Sequence, residues 1–244
     1  MEPYIIDFTV GFLIGMLAGL FGVGGGFLIV PTLVLMGLPI HTAVGTSLAC
    51  ISISSLGSAS MHMKEGRVLY RVVVLKELFS VPSAVAGAYL SGVLSERVLR
   101  TAFAGVLLYV AYKFLKHRNG EDAEDSKRIK LHNVPIVGVV AGLSSGLLGI
   151  SGGILNVPLF HSLAGVPIEY AVGTSSMAIF FTALAGTWEH YRLGQVDLST
   201  ALLLAPGMIV GAIIGARLVT RIHPKKFKLA FSAILMILAL KLLL

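Results

Sequence analysis

Apolar runs recur along most of this chain, and several are longer than a soluble core helix needs. Val72 to Val93, Val98 to Leu115 and Leu229 to Leu244 approach or reach the ~20 residues that carry a helix across a hydrocarbon layer about 30 Å thick. Only 13% of the 244 residues are charged and 56% are hydrophobic, where soluble domains carry about 25% charge. The chain therefore reads as an all-α, polytopic membrane protein. Its net charge of +7 lies in short clusters between apolar runs, without the interleaved aromatics of a nucleic-acid groove, so no nucleic-acid partner is expected and the lipid bilayer is. These charges orient the protein in the membrane. Met1-Glu2-Pro3-Tyr4 has no basic n-region, so a removable signal peptide is not expected. A single cysteine, Cys50, excludes an intramolecular disulfide and a multi-thiolate metal site, and no cofactor is expected.

The chain also repeats itself. Gly19-Leu20-Phe21-Gly22-Val23-Gly24-Gly25-Gly26, with Pro31, returns 127 residues later as Gly146-Leu147-Leu148-Gly149-Ile150-Ser151-Gly152-Gly153, with Pro158. One residue out of that register, Gly37-Leu38-Pro39-Ile40 and Ala43-Val44-Gly45-Thr46-Ser47 match Gly165-Val166-Pro167-Ile168 and Ala171-Val172-Gly173-Thr174-Ser175. His62 pairs with His190, Gly66 with Gly194, Pro82 with Pro206 and Gly87 with Gly211, which sets Ala201 opposite Glu77. Two homologous repeats, 1–116 and 134–244, thus flank a polar linker, 117–133. A fixed period of this kind marks duplicated architecture.

Each repeat offers about five hydrophobic segments, in the first half 5–21, 27–37, 42–61, 71–94 and 98–116. The second spans only about 16 to 21 Å as a helix, too short for an ordinary crossing, and reads as a half-helix broken from the first by glycine. If the chain changes face at every segment, Lys64, Arg67, Arg71, Lys116, Arg118, Lys127, Arg128, Lys130, Arg221, Lys225, Lys226 and Lys228 share one face. Arg97, Arg100, Arg192 and Lys241 take the other, a division of 12 against 4. If the short segment returns to its starting face, the division falls to 10 against 6. The stronger bias favours five segments, an odd number, and hence repeats inserted in opposite orientations with the linker cytoplasmic. Short, glycine-interrupted segments at matching positions of an inverted repeat point to a transporter's binding site.

Candidate substrate-binding residues follow. Gly24, Gly25 and Gly26, and Ser151, Gly152 and Gly153, stand where a helix breaks and a half-helix begins, so their backbone N–H groups suit a small anion. Close helix packing through glycine is the competing explanation. Asn156 belongs to the same motif, and Thr46, Ser47, Thr174 and Ser175 open the matching third segments. Ser47, Cys50, Ser54 and Ser58 recur on one helical face, suited to tight packing or to lining a pathway. Ionisable residues within or near spans, Glu77, Glu189, His62 and His190, are coupling candidates. Lys76, beside Glu77, can snorkel toward the interface, which leaves Glu77 the harder of the two to dismiss.

At both glycine clusters and at the Ala43-Val44-Gly45-Thr46-Ser47 motif with its copy, the sequence resembles the sulfite exporter TauE/SafE family of bacterial and archaeal membrane proteins. Ser151 stands where the first cluster has Gly24. The resemblance implies movement of small sulfur-containing anions, a sulfite-like oxyanion or an organosulfonate, across the cytoplasmic membrane. The expected function is thus secondary transport of such an anion, not enzymatic chemistry, in a multi-pass protein that is open to homo-oligomerisation. The alternatives are a passive anion channel and, further off, an intramembrane enzyme or scaffold.

Overall fold

The computed structural model describes residues 2–21, 26–116, 129–150, 153–218 and 224–243. Among them the chain is helical and without strands: α1 Glu2–Phe21, α2 Gly26–Leu35, α3 Ile40–Lys64, α4 Tyr70–Val93, α5 Glu96–Lys116, α6 Val134–Leu148, α7 Gly153–Ser162, α8 Ile168–Arg192, α9 Leu198–Leu218 and α10 Pro224–Leu243. Four stretches are long and apolar enough to cross a membrane: α3, α4, Leu131–Leu148 and α8. Shorter apolar helices accompany them.

The boundaries follow local chemistry. Pro39 and Pro167 precede α3 and α8 in extended backbone, at ψ 144° and 143°, as the lack of an N–H and a fixed φ favour at a helix start. Both helices run 25 residues and end in the same way. The Arg67 N–H returns to the His62 carbonyl at 3.0 Å, and the Gln195 N–H to His190 at 2.8 Å, closing each C-terminus with a six-residue turn.

α3 and α8 lie side by side and antiparallel at the centre. α1 packs on α9, α4 on α6 and α8, and α5 on α10. The first helix of each half thus pairs with the fourth helix of the other. Close glycine contacts set these crossings: Gly11 and Gly15 abut the backbone of Leu204 and Met208, while Gly138, Gly142 and Gly146 abut Lys76, Ser80 and Ala84.

That packing corrects one sequence pairing. Gly11 and Gly15 correspond to Gly138 and Gly142, so Leu204 and Met208 stand where Lys76 and Ser80 stand. Glu77 is therefore matched by Ala205, not Ala201, and Pro82 and Pro206 sit one turn apart. The helix starts agree, Tyr70 and Leu198 being 128 residues apart. Backbone contacts at glycine fix the register; a proline inside a membrane helix is accommodated at either turn.

α6 and α7 form a hairpin. The Ala164 carbonyl, just past α7, accepts the Lys130 N–H at 2.8 Å, and the Leu163 carbonyl accepts Asn133 Nδ2 at 2.7 Å. α7 therefore brings the chain back to the end of α6 from which it set out. At the tip, Gly149 terminates α6 with φ 64° and ψ 20°, a left-handed conformation that glycine adopts without steric cost. A Cβ there would also lie 2.8 Å from the Val44 carbonyl oxygen.

Candidate functional site

The hairpin tip is held by α3. Ser47 Oγ donates to the Gly149 carbonyl at 2.9 Å, with both groups buried. α7 then begins at Gly153, and α2 begins at Gly26 after the first glycine cluster. Each helix start exposes N–H groups and the positive end of a dipole. Gly24, Gly25, Ser151 and Gly152 themselves lie outside the described residues.

Asn156 occupies the first turn of α7. It is wholly buried, and neither Nδ2 nor Oδ1 has a hydrogen-bond partner. The Ser175 hydroxyl is likewise buried and unpartnered. Buried amides and hydroxyls are almost always satisfied, because each unmade bond costs about 1–3 kcal/mol.

Thr46 and Thr174 are already engaged. The Thr46 hydroxyl accepts the Asp197 N–H at 2.9 Å, and the Thr174 hydroxyl accepts the Leu69 N–H at 3.0 Å. Each threonine ties a central helix to the loop that opens α9 or α4. Asp197 in turn caps α9, accepting the Thr200 N–H at 3.0 Å and its hydroxyl at 2.6 Å. The Thr200 hydroxyl chiefly holds the Asp197 carboxyl below the ordinary carboxylate range. In the serine stripe, the Cys50 thiol is buried and lies 3.8 Å from the Ala201 carbonyl. Ser54 and Ser58 donate to carbonyls of their own helix.

The coupling candidates separate. His62 and Glu189 sit at helix ends, His62 Nδ1 3.7 Å from Glu65 and Glu189 3.0 Å from the exposed Arg192. His190 is fully buried; its Nε2–H donates to the Gly146 carbonyl at 2.9 Å, and Nδ1 lies 2.9 Å from the Gln195 side-chain amide. It fastens α8 to the last turn of α6.

Glu77 belongs to a different group. Lys76 does not snorkel: its side chain is 0% exposed, and Nζ donates to Glu77 Oε1 at 2.7 Å and to Thr182 Oγ1 at 2.8 Å. The Thr182 hydroxyl donates back to Glu77 Oε2 at 2.9 Å. Ser80 Oγ closes the cluster 2.9 Å from Thr182. Gly138 and Gly142 let α6 approach here, so the lysine stem is enclosed on the protein side. Two adjacent ionisable residues in an apolar run are the sequence signal; Thr182, 128 residues after Ser54, is marked in the sequence only as part of the copy of the small polar stripe, and Ser80 carries no signal of its own. Among the described residues no group of His, Cys, Asp and Glu could hold a metal ion.

Four stretches long and apolar enough to span, shorter apolar helices beside them and a charge pair enclosed between two of the spans mark a multi-pass membrane protein. The family description "Sulfite exporter TauE/SafE" matches residues 8–242, and the chain belongs to this family. A relative from Methanocaldococcus jannaschii, named a probable membrane transporter protein, is 30% identical over 251 residues, covering 96% of this chain and 93% of the relative. One from Haemophilus influenzae, named in the same way, is 30% identical over 98% of both chains. Bacillus subtilis YdhB, also so named, is 31% identical over 88% of this chain and 89% of its own. No solved structure matches. The protein is thus a membrane transporter by family, and its relatives carry transporter names, not those of enzymes.

Proposed function

We propose that this protein is a secondary transporter that moves a small sulfur-containing anion across the cytoplasmic membrane, holding it between the two glycine-rich helix starts. Asn156 carries the reading. A buried amide with no partner, in the first turn of a helix whose N-terminus is positive, has the donors a tetrahedral oxyanion or sulfonate needs. The family name supplies the sulfur. Opposed helix N-termini, one from each half, would aim their N–H groups at a common point of low dielectric.

The inverted arrangement has its own support. The α6–α7 hairpin returns the chain to its starting end, which is the face allocation behind the 12-to-4 charge division. After the hairpin, α8, α9 and α10 make three further passages, an odd number, so the linker and the C-terminal end lie on opposite faces. In a Cys50→Ser background, cysteine at Ser95 should react with an impermeant thiol reagent outside intact cells, and cysteine at Ser126 should be protected. Equal labelling of the two removes the inverted repeat.

Flux into proteoliposomes, with labelled sulfite, sulfate and thiosulfate, tests the transport reading. Wild type should show saturable uptake that responds to counter-ions; a channel would instead pass voltage-driven current. Asn156→Leu should raise the apparent KM by roughly 10- to 100-fold, the worth of one or two hydrogen bonds to a charged group. The same substitution removes an orphaned polar group, so the protein should be as heat-stable as wild type or more so. A destabilised Asn156→Leu protein with unchanged KM would make Asn156 a structural residue. Gly25→Val and Gly152→Val should also remove uptake while the protein reaches the membrane, since a β-carbon obstructs the N–H cradle.

A further inference from the structure

Lys76 is the one buried lysine or arginine among the residues whose side chains are described, and its place in the fold bears on how an anion could enter. Gly138 lies on Lys76, Gly142 on Ser80 and Gly146 on Ala84, so Ser80, which closes the cluster, sits one helical turn from Gly146 along the α4–α6 crossing and the Lys76 backbone two turns, roughly 12 Å of rise. Gly146 is the start of the second glycine motif. On α8, Thr182 is likewise one turn from Gly186, whose added Cβ would lie 3.7 Å from the Gly146 Cα. Among the residues whose side chains are described, the Lys76 ammonium is thus the enclosed lysine or arginine charge nearest the hairpin tip.

The charge balance there is strict. A buried pair is tolerable because it is neutral and hydrogen-bonded; an additional bare anion beside it would carry one uncompensated charge into a low-dielectric interior, at a cost of several kcal/mol. Other compensation is distant. α6 carries no ionisable side chain at all. The ionisable residues of α8 cluster at its ends, Glu169 and Tyr170 at one and Glu189, His190, Tyr191 and Arg192 at the other, two or more turns from Thr182. On α4 itself Tyr70 and Arg71 sit at the start and Tyr89 three turns beyond Glu77. α3, which touches α4 only slightly, has His41, His62 and Lys64 near its ends and the buried Cys50 between them. Among the described residues Lys76 is the only charged partner of Glu77.

We propose that Lys76, Glu77 and Thr182 form a charge-exchange site, in which a transported anion replaces the Glu77 carboxylate on the Lys76 ammonium only when Glu77 takes a proton, making the protein an anion–proton symporter. This rests on the reading of the protein as an anion transporter and adds the coupling. The proton comes from water on the entry side and forms an O–H bond on Glu77. The Lys76–Glu77 ion pair breaks, and the ammonium and the Thr182 hydroxyl turn to the anion. On the other side the anion leaves, Glu77 returns its proton to water, and the carboxylate goes back to Lys76. One monovalent anion and one proton move together, and the membrane interior stays neutral at each stage; a dianion such as thiosulfate would keep one charge uncompensated with a single proton.

The test uses purified protein in liposomes with a trapped pH dye and labelled methanesulfonate, thiosulfate or chloride, which carry no titrating proton near neutral pH. In wild type, uptake should acidify the lumen, and an inward gradient of one pH unit should raise accumulation of a monovalent anion about tenfold. Glu77→Gln leaves Lys76 without its counter-charge, so the anion should bind more tightly, anion–anion exchange should persist, and the response to the gradient should fall to onefold. Lys76→Met/Glu77→Gln keeps the site neutral and should stay folded while losing anion binding. Glu77→Gln protein that still follows the proton gradient overturns the proposal. Methanesulfonate uptake without protons in wild type overturns it too and leaves the sulfur reading intact. Chloride moving with protons while both sulfur anions stay outside does the reverse. If none of the three moves, both fall.

Discussion

Gly146→Val should leave little folded protein in the membrane. An added Cβ at Gly146 would fall on the Ala84 carbonyl oxygen and within 2.8 Å of the Ala84 carbonyl carbon and the Ala88 nitrogen. These are backbone atoms of α4, so no side-chain rotation relieves the clash; α4 and α6 must separate. Separation breaks more than one interface, since Gly186 of α8 also approaches Gly146 and His190 donates to the Gly146 carbonyl. Overpacking a tight core costs about 1–3 kcal/mol when side chains can adjust, and here the cost should exceed that range. Gly57→Val is the control, because a Cβ there meets nothing within 4 Å. Size-exclusion profiles and thermal unfolding in detergent should separate the two variants. If Gly146→Val protein elutes and melts like Gly57→Val protein, the α4–α6–α8 junction is looser than its geometry requires.

The same junction shows what could be read from residues and what could not. Spans are local features, written in apolar runs, and α3 and α4 cover 40–64 and 70–93 where the runs predict 42–61 and 71–94. Burial of Lys76 is not local. Its neighbours Val74 and Leu78 are 70% and 68% exposed while Val73 and Ser80 are 3% and 0%, so one apolar run carries an outward and an inward face. Which face holds the lysine depends on Gly138 of α6 and Thr182 of α8, far along the chain, making room and offering a hydroxyl. The threonines show the converse limit. Thr46 and Thr174 stand out in a repeated motif, yet a repeat marks any role that both halves share, and here both hydroxyls take backbone N–H groups at helix starts. Asn156 has no polar counterpart in the first half, where Ile29 stands; its interest emerges only once its burial and missing partners are known.

Lys76→Met alone should be far less stable than Lys76→Met/Glu77→Gln. The lysine stem is enclosed, so methionine fills most of its volume and little packing is lost. What changes is Glu77, 9% exposed, which loses the 2.7 Å contact to Nζ and keeps only the Thr182 hydroxyl. Breaking one side of a buried pair costs about 3–5 kcal/mol, because the remaining charge is stranded, whereas exchanging both partners for neutral groups is often tolerated. Glutamine at 77 can still bond Thr182 and carries no charge to desolvate. Raising the proton concentration should mimic the second substitution: a protonated Glu77 is neutral, so Lys76→Met protein should gain thermal stability as pH falls, while the double variant, with nothing left to titrate at the pair, should not share that gain. Unfolding curves of both proteins across a pH series provide the comparison. Equal stability of the single and double variants at every pH would mean that Glu77 reaches water without Lys76, and the enclosed charge pair would then have no hold on either the fold or the anion.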